Sequence, residues 1–408
     1  MQPSDRPIKI LWMIPKWTLP VTDGARVATD SLIRNTISAG ANVDVLCLPQ
    51  QFEVTDQAEM KRAWGVNNIF VIPRVLPEKK FEKNFFYLWQ LLTNPLVPLT
   101  FSSFSTAKLK KEVQLHISSN NYDYILLDGL HLGAALLNNG KFSKLPQIIY
   151  RAHNIEVDLW KKSYKEKKSP LLKLIIYFQS RLVEKFENDI INNSHGIAAI
   201  SQEDLLEIQQ ISKTPTELVP LGLNFDSPLE ACNELNTKFL FIGRLDWPPN
   251  KDGLEWLLKE VWPSVISNRP EAVLKIVGSG NGEWLKNYSH LKGVQMVGFV
   301  DSIRDAYRDC HFTIVPISYG SGTRIKVLES FALGRRLIST KMGVQGADLT
   351  ANEYLNAETK EDWIKMLSSI KLDSEQQQKL DRARLIVAAK FGEKNIGIKF
   401  YKWLQTVL

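Results

Sequence analysis

The chain has 408 residues, of which 44% are hydrophobic and 23% are charged, a balance typical of a globular protein and not of a disordered one. This length predicts two domains rather than one. The net charge of +7 arises in residues 1–200, where 25 basic residues face 18 acidic ones; after residue 200 the counts are equal, 26 and 26. Two interpretations of this basic half are open. It contacts an anionic partner, such as a phospholipid surface, a lipid-phosphate acceptor or nucleic acid, or its basic face is only solvated.

Several classes of protein are disfavoured at once. Three widely spaced cysteines exclude a disulfide framework and a paired-cysteine zinc site, and they favour a reducing compartment. The first residues do not resemble a secretion signal. The apolar run 171–178 is interrupted by Lys173 and is well short of the roughly 20 residues of a bilayer span. The sequence therefore predicts a cytoplasmic protein, with peripheral attachment to the inner membrane face as an open alternative.

The first half alternates short apolar strands with helical patterns. Residues 8–14 predict a strand, 25–39 a helix that ends at Gly40, and 42–48 the next strand. Further strands are predicted at 124–127, 147–150 and 196–200. Because a strand, a crossover helix and a strand imply parallel pairing, residues 1–215 are predicted to form a Rossmann-like domain.

The second half repeats this alternation after a predicted linker, residues 216–237, which contains Pro220 and Gly222. Strands are predicted at 239–242, 272–277, 294–297, 312–315 and 336–339. Residues 238–392 are therefore predicted to form a second Rossmann-like domain, and 393–408 an amphipathic helix that crosses back to the first. The predicted fold class is α/β, with two parallel sheets and a ligand cleft between their carboxyl ends.

The glycine-rich segment from Tyr319 to Glu329 carries the strongest chemical signal. Its glycines let the backbone approach a ligand, and amides near a helix N-terminus suit anionic or hydroxyl groups. Arg324 and Lys326 add positive charge, and Glu329 can accept two hydrogen bonds from a vicinal diol such as ribose. Any one of them alone would be interpreted as a surface charge, but the cluster favours a phosphate and sugar site.

With these residues the second half resembles the family 4 retaining glycosyltransferases, which have the two-domain GT-B fold. Family landmarks occur in order at 241–245 (FIGRL), 250–253 (NKDG, a turn in that family), 277–280 (VGSG), 297–300 (VGFV), Glu329 and 332–334 (ALG). The likeness is dense over 238–345 and thin before it. It implies transfer of a sugar from a nucleoside-diphosphate sugar to a hydroxyl of a glycan or lipid-linked acceptor, with retention and without a metal or other cofactor.

The resemblance also implies roles for individual residues. Arg244 would contact the diphosphate together with a lysine, for which Lys326 is preferred to Lys251, and Glu329 would bind the ribose. The other donor-site candidates are Gly24, Gly278, Phe299, Val300, Ser321, Gly322, Thr323 and Arg324, with the base placed at the backbone of Phe299 and Val300. The family often has a second glutamate where this chain has Ser321, which leaves the donor sugar open.

Candidates in the first half follow predicted strand ends. His153 comes just after strand 147–150, where the resemblance places a catalytic histidine that touches the donor sugar. Asp128 and His131 follow strand 124–127 and, with Glu156, are candidates for the acceptor side. Gly24 resembles a glycine that abuts the donor phosphates. A structural histidine and a plain turn are the competing interpretations of His153 and Gly24.

Rival functions are a sugar-nucleotide epimerase or hydrolase of the same fold, and a non-catalytic nucleotide-sugar or membrane-binding module. The glycines at 278–282 lack the spacing of a dinucleotide fingerprint, and no nucleic-acid-binding module is recognised, so no nucleic-acid partner is expected. The basic run 161–168 is either solvated or faces an anionic membrane. Aromatic residues at 81–89 and 101–104 are predicted to join that surface or the acceptor groove.

Overall fold

The computed structural model describes residues 6–19, 24–50, 56–74, 76–77, 79–137, 145–166, 169–232, 237–320 and 322–407. The chain divides into two compact units. Unit 1 consists of Met1–Gly222 and Glu393–Leu408, and unit 2 consists of Leu223–Gly392. Over these described ranges, no helix combines the length and the apolar character that crossing a bilayer requires.

Unit 1 is built on a parallel sheet of seven strands. The strands are β1 (Lys9–Ile14), β2 (Asn42–Cys47), β3 (Asn68–Val71), β4 (Tyr124–Asp128), β5 (Gln147–Ala152), β6 (Gly196–Ala199) and β7 (Thr216–Leu218). Their order in the sheet is β3-β2-β1-β4-β5-β6-β7. The central strands are buried along almost their whole length because helices cover both faces of the sheet, which explains their continuous apolar runs.

The helices of unit 1 connect these strands. They are α1 (Gly24–Ser38), α2 (Gln57–Trp64), α3 (Lys80–Thr93), α4 (Ala107–Ser118), α5 (Gly133–Leu136), α6 (Glu156–Glu166), α7 (Pro170–Asn193) and α8 (Gln202–Ile211). A 3₁₀ helix, Leu99–Phe104, follows α3. Side-chain caps fix several starts, as where Ser201 accepts a hydrogen bond from the Asp204 amide at 3.0 Å.

Unit 2 contains a parallel sheet of six strands in the order β10-β9-β8-β11-β12-β13. The strands are β8 (Lys238–Ile242), β9 (Val273–Val277), β10 (Val294–Gly298), β11 (Phe312–Val315), β12 (Arg336–Ser339) and β13 (Leu355–Asn356). The helices are α9 (Pro248–Trp256), α10 (Trp262–Asn268), α11 (Ile303–Tyr307), α12 (Ile325–Ala332), α13 (Lys360–Ser369) and α14 (Ser374–Phe391). The predicted α/β class with two parallel sheets is confirmed.

The last helix, α15 (Glu393–Val407), belongs to unit 1 and packs on α1. Its backbone carbonyl at Leu404 accepts a hydrogen bond from the Tyr124 hydroxyl at 2.7 Å. Thr216–Leu218, at the start of the predicted linker, instead form the edge strand β7. This part of the linker prediction is therefore wrong. Three half-buried residues are too few to show the alternation that indicates a strand.

Each sheet reverses its order at one place, between β1 and β4 in unit 1 and between β8 and β11 in unit 2. At such a reversal the connections leave in opposite directions and open a crevice at the carboxyl ends of the two strands. Polar residues that follow these strand ends are therefore brought together by topology alone. The two crevices are the candidate sites, and each is described within its own unit.

Candidate functional site

In unit 2 the floor of the crevice is formed by backbone at Gly243 and Gly278 that lies unusually close to neighbouring atoms. Gly243, directly after β8, has φ +150°, and a Cβ placed on it would lie 2.7 Å from Asn250 Nδ2 and 2.9 Å from Lys326 Nζ. A Cβ on Gly278, at the end of β9, would lie 2.0 Å from the Gly243 carbonyl oxygen. Any side chain at either position would displace the lysine or separate the two strands, so both glycines are required by space.

Lys326 is the cation at the centre of this crevice. Its side chain is buried, its Nζ donates a hydrogen bond to Asn250 Oδ1 at 2.7 Å, and it lies 4.6 Å from the centre of the Phe241 ring. Burial, together with the nearby Arg324 guanidinium, lowers the pKa of Lys326 to about 7, against a weaker opposing pull from Glu329. Its hydrogen-bond acceptor is neutral, and among the described residues no carboxylate forms an ion pair with it.

Glu329 lies one turn further along α12. Burial raises the pKa of its carboxyl to about 7, while Lys326 and a hydrogen bond from Tyr307 pull it down. The Tyr307 hydroxyl lies 3.5 Å from Glu329 Oε2 and 3.2 Å from the Lys326 carbonyl oxygen. Tyr307 thereby fixes the first turn of α12 and the carboxylate together, which leaves the other carboxylate oxygen for a ligand.

The loop before α12 supplies a third charge and backbone donors. Arg324 is buried, its Nη1 donates to the Gly322 carbonyl, and its guanidinium lies 5.9 Å from the centre of the Trp247 ring. Arg324 is also the N-cap residue of α12, and its side chain accepts no hydrogen bond from the helix amides. The positive end of α12 and two buried cations therefore point to an anion-binding end of the crevice.

Asn250 is a functional residue that the sequence does not single out. Its side chain is buried, and its Nδ2 donates to the Arg244 carbonyl at 2.9 Å while its Oδ1 accepts from Lys326. The donor bond fixes the amide orientation, so the oxygen must face the lysine. The family landmark around Asn250 was the only available signal, and it directed attention to Lys251.

A cavity of about 450 Å³ adjoins this charged cluster at Gly278. It is lined by the glycines of the loop after β9, by Leu245 and Leu285, and by Phe299, whose side chain is 58% exposed. Val300 instead packs against a small core of unit 2. An apolar slot with backbone donors at one end suits a nucleobase.

The other predicted donor residues are placed apart from the buried cluster. The Arg244 side chain is 69% exposed and pairs with Asp246 at 2.9 Å. Lys251 lies within α9, not in the predicted turn, because Pro248 starts that helix at its first position. The Lys251 ammonium is 5.9 Å from the centre of the Trp284 ring. Thr323 packs against Gly346, and Ser321 lies outside the described residues.

In unit 1 the crevice is built around one buried carboxylate. Asp128, the last residue of β4, is hydrogen-bonded to Nε2 of His153 and accepts from Trp12 Nε1 at 2.9 Å and from Arg151 Nη1 at 3.0 Å. These three partners outweigh the effect of burial and hold the pKa of Asp128 well below its usual range. Asp128, predicted for the acceptor side, thus orients His153.

Arg151 and Trp12 are the residues that sequence reasoning missed here. β5 extends to Ala152, two residues beyond the predicted strand, and pairs Arg151 with Asp128 across the sheet. The Arg151 guanidinium is fully buried and also donates to Thr29 Oγ1 at 3.2 Å. An arginine and an aspartate at neighbouring strand ends were the signal that could have revealed the pair.

A cavity of about 200 Å³ opens beside this cluster, lined by His153, Glu156, His131 and the first turns of α1. Gly24 is the first residue of α1, directly before the lining. Burial lowers the pKa of His131 to about 3 and raises the pKa of Glu156, so both groups favour their neutral forms. His131 packs 4.9 Å from the Phe104 ring centre, which is a core position.

One donor of this cavity remains unsatisfied. Trp17 Nε1 is buried and has no hydrogen-bond partner within the described part of the chain. The Asn154 amide also lines the cavity and interacts with Glu156. The cavity therefore suits a ligand rich in acceptor oxygens, such as a sugar. Across the described ranges, no group of three His, Cys, Asp or Glu side chains could hold a metal ion.

Comparison with known proteins agrees with the donor-like site of unit 2. A model of the family described as glycosyl transferases group 1 matches residues 236–370. A relative from Klebsiella pneumoniae, described as an uncharacterized 44.6 kDa protein in the cps region, is 28% identical over 257 residues. That match covers 60% of this chain and 63% of the relative.

Solved structures share the fold across nearly the whole chain. HepE of Anabaena, in complex with UDP-glucose, has a TM-score of 0.62 at 12% identity and covers 98% of this chain and 100% of its own. S. aureus TarM, in complex with fondaparinux, alpha-GlcNAc-glycerol and UDP, has a TM-score of 0.65 at 11% identity, with coverage of 98% and 99%. A glycosyltransferase from Rickettsia africae has a TM-score of 0.62 at 12% identity, with coverage of 98% of each chain.

Proposed function

We propose that this chain, whose residues 236–370 match the model of the glycosyl transferases group 1 family, is a glycosyltransferase that transfers a sugar from a nucleoside-diphosphate sugar to a hydroxyl of a glycan or lipid-linked acceptor, with retention of configuration. The observation that carries the proposal is the cluster of Lys326, Arg324 and Glu329 at the sheet reversal of unit 2. The UDP-glucose and UDP complexes of HepE and TarM support a uridine nucleotide as the first donor to test.

The charges of unit 2 match the parts of such a donor. Lys326 and Arg324, with the amide end of α12, would hold the diphosphate and stabilise the charge that develops as the sugar leaves. Glu329 would accept hydrogen bonds from the ribose hydroxyls, and the cavity beside Phe299 would take the base. Two fixed cations can replace a metal ion as the counter-charge, so we propose a metal-independent reaction.

In unit 1 we assign the reacting-sugar and acceptor contacts to the cavity beside His153. Asp128 holds the imidazole by its Nε2, which leaves the other ring nitrogen to meet a substrate. The unsatisfied Trp17 indole nitrogen, together with the Asn154 amide in the same lining, would donate to sugar oxygens. The leaving phosphate would accept the proton of the attacking hydroxyl, which fits a site where His131 and Glu156 favour neutral forms.

The proposed setting is the synthesis of a cell-surface polysaccharide or glycoconjugate. It is supported by the description of the K. pneumoniae relative as a protein in the cps region. The excess of basic residues in the first 200 residues of the chain would suit an acceptor that carries a lipid phosphate at the inner membrane face.

The test begins with a thermal-shift screen of UDP, GDP, ADP and CMP and their common sugars. A ligand at 100 times its dissociation constant should add about 2.7 kcal/mol to the stability of the protein. The donor found in this way is then incubated with glycan and lipid extracts. We expect a glycoside product whose anomeric configuration, read by NMR coupling constants, equals that of the donor.

Two outcomes would contradict the proposal. If no nucleotide raised the melting temperature of the protein, the proposed donor site would be contradicted. Complete conversion of the donor to an epimer or to free sugar, in the absence of any acceptor, would assign the same fold to an epimerase or a hydrolase instead.

A further inference from the structure

The helix α3 shows an inverted pattern of burial. Its polar Gln90 is 6% exposed and accepts hydrogen bonds from Asn94 at 3.0 Å and Ser105 at 3.5 Å. Its large apolar side chains face solvent instead: Phe81, Phe85, Leu88, Trp89 and Leu92, with Phe81 at 83% and Leu92 at 72% exposed. Their spacing of three and four residues places them on a single face of the helix, which is called the α3 face below.

A second group of exposed apolar side chains lies on α7. The Leu99 amide, just after α3 and its loop, donates to Gln179 Oε1 at 2.9 Å and so ties this loop to the middle of α7. Next to Gln179 in the sequence, α7 exposes Leu174, Ile175, Tyr177 and Phe178. Leu96 of the intervening loop is exposed as well. The exposed apolar side chains of α3, of this loop and of α7 therefore exceed the scattered apolar residues of an ordinary soluble face.

Two of the aromatic residues predicted at a membrane surface or acceptor groove lie elsewhere. Phe101 and Phe104 are buried in the core of unit 1, because the 3₁₀ helix turns them inward. The exposed members are those of α3. Phe101 and Phe104 therefore stabilise the core, whereas packing within unit 1 does not explain the exposed aromatic residues of α3.

Basic side chains lie at the edge of the α3 face. Lys79, which pairs with Glu82 at 3.6 Å, and Lys83 are exposed at the start of α3. Arg181, which pairs with Glu184 at 2.8 Å, and Lys185 are exposed on α7 beyond Phe178. In the sequence, the run 161–168 adds five lysines, of which Lys167 and Lys168 lie outside the described residues. Exposed apolar side chains with a basic rim and with Trp89 and Tyr177 among them have the chemistry of an interfacial helix on anionic lipid.

We propose that the α3 face is the surface through which this chain lies on an anionic lipid bilayer, with the exposed apolar side chains of α7 as a second contact. A second copy of the chain is a poorer occupant, because a two-fold contact would bring the same lysines of both copies to one rim. Lipid headgroups would neutralise these lysines while the acyl region takes the aromatic rings. The inference extends the proposed acceptor chemistry, but it depends only on this surface and not on the reaction.

The test is co-sedimentation of the full chain with vesicles of phosphatidylcholine, with and without phosphatidylglycerol. We expect binding that requires phosphatidylglycerol and weakens with salt. The triple variant Phe81→Ser, Phe85→Ser, Trp89→Ser should lose at least tenfold in partitioning, and Lys79→Gln with Lys83→Gln should lose mainly the salt-sensitive part. Leu385→Ser, at a side chain 74% exposed in unit 2, is the matched control and should bind like the original chain.

Other measurements keep the result unambiguous. The replaced side chains lie outside the core, so the triple variant should keep its circular dichroism spectrum and its thermal shift with nucleotide. An unchanged nucleotide shift with lost vesicle binding separates this surface from the donor site. The inference fails if the original chain stays in the supernatant with anionic vesicles or if the triple variant binds as well as the original. It also fails if light scattering shows a dimer that the triple variant abolishes.

Discussion

The crevices of the two units lie at equivalent places in their sheets, but they differ in how their buried charged groups are neutralised. In unit 1 the carboxylate of Asp128 is met by the charged Arg151 and by His153, and its pKa is lowered. In unit 2 the ammonium of Lys326 is met by a neutral amide, and its pKa is lowered toward 7, while that of Glu329 is raised toward 7. In unit 1 the buried charge is neutralised by residues of the same crevice. In unit 2 the buried charges are only partly neutralised by their neighbours.

This difference supports the proposal that the crevice of unit 2 receives the charged ligand. A buried ion whose partner is a charged neighbour is already stabilised, so a ligand gains little by approaching it. Lys326 is hydrogen-bonded only to a neutral group, and the nearby Glu329 offsets only part of the solvation lost on burial. Binding a diphosphate would supply further negative charge, which explains why the cost of burial is concentrated in unit 2.

The largest effect is expected on activity when the central cation of unit 2 is removed. Lys326→Met keeps the apolar contact with Phe241 but removes the charge that would stabilise the leaving diphosphate. We expect kcat/KM with the donor found in the nucleotide screen to fall about 10²- to 10³-fold. Lys251→Met is the matched control, since that ammonium lies over Trp284, and it should change kcat/KM by less than about fivefold. Equal losses in both variants would contradict the assignment of Lys326.

The second effect concerns the stability of unit 1. Asp128→Asn preserves the shape of the residue but leaves the buried Arg151 guanidinium without an opposite charge. We expect the free energy of unfolding to fall by about 3 kcal/mol at neutral pH, measured by chemical denaturation. The double variant Asp128→Asn, Arg151→Met removes both charges and should recover part of this loss. A single variant as stable as the original chain would show that the cluster is not internally neutralised.

The sequence could predict the elements whose signals are local. Continuous apolar runs gave both parallel sheets, and the glycines and charges at 319–329 identified Lys326 and Glu329 as one cluster. Contacts between distant residues escaped prediction. Asn250 meets Lys326 across 76 positions and Trp12 meets Asp128 across 116. No periodicity carries such information.

Two local errors have the same physical origin. Arg151 was missed because a charged residue normally ends a buried strand, but here its partner Asp128 on the next strand lets the strand continue. The turn predicted at 250–253 is helical because two prolines start α9. In both places a neighbouring residue determined the local structure, whereas the prediction had considered each residue by itself. The paired environment, rather than the residue type, decided the structure.

The smallest effect sharpens the contrast between the units, because it has the opposite sign to that of Asp128→Asn. The carboxyl of Glu329 has a pKa of about 7 in the folded chain, above its ordinary value of 4.5. Between pH 4.5 and 7 the folded chain therefore retains a proton that the unfolded chain has released, and stability falls as the pH rises through this window. Glu329→Gln has no such proton to lose.

We therefore expect Glu329→Gln to match the original chain below pH 4.5 and to be more stable by about 1 to 3 kcal/mol at pH 8, despite a loss of donor affinity. Thermal melts at both pH values measure this, with Glu230→Gln, an exposed carboxylate of the same unit, as control. If Glu329→Gln were instead less stable at pH 8, the attraction between Glu329 and Lys326 would exceed the cost of burying the carboxylate. The two charges of unit 2 would then neutralise each other as Asp128 and Arg151 do, and the distinction between the crevices would be lost.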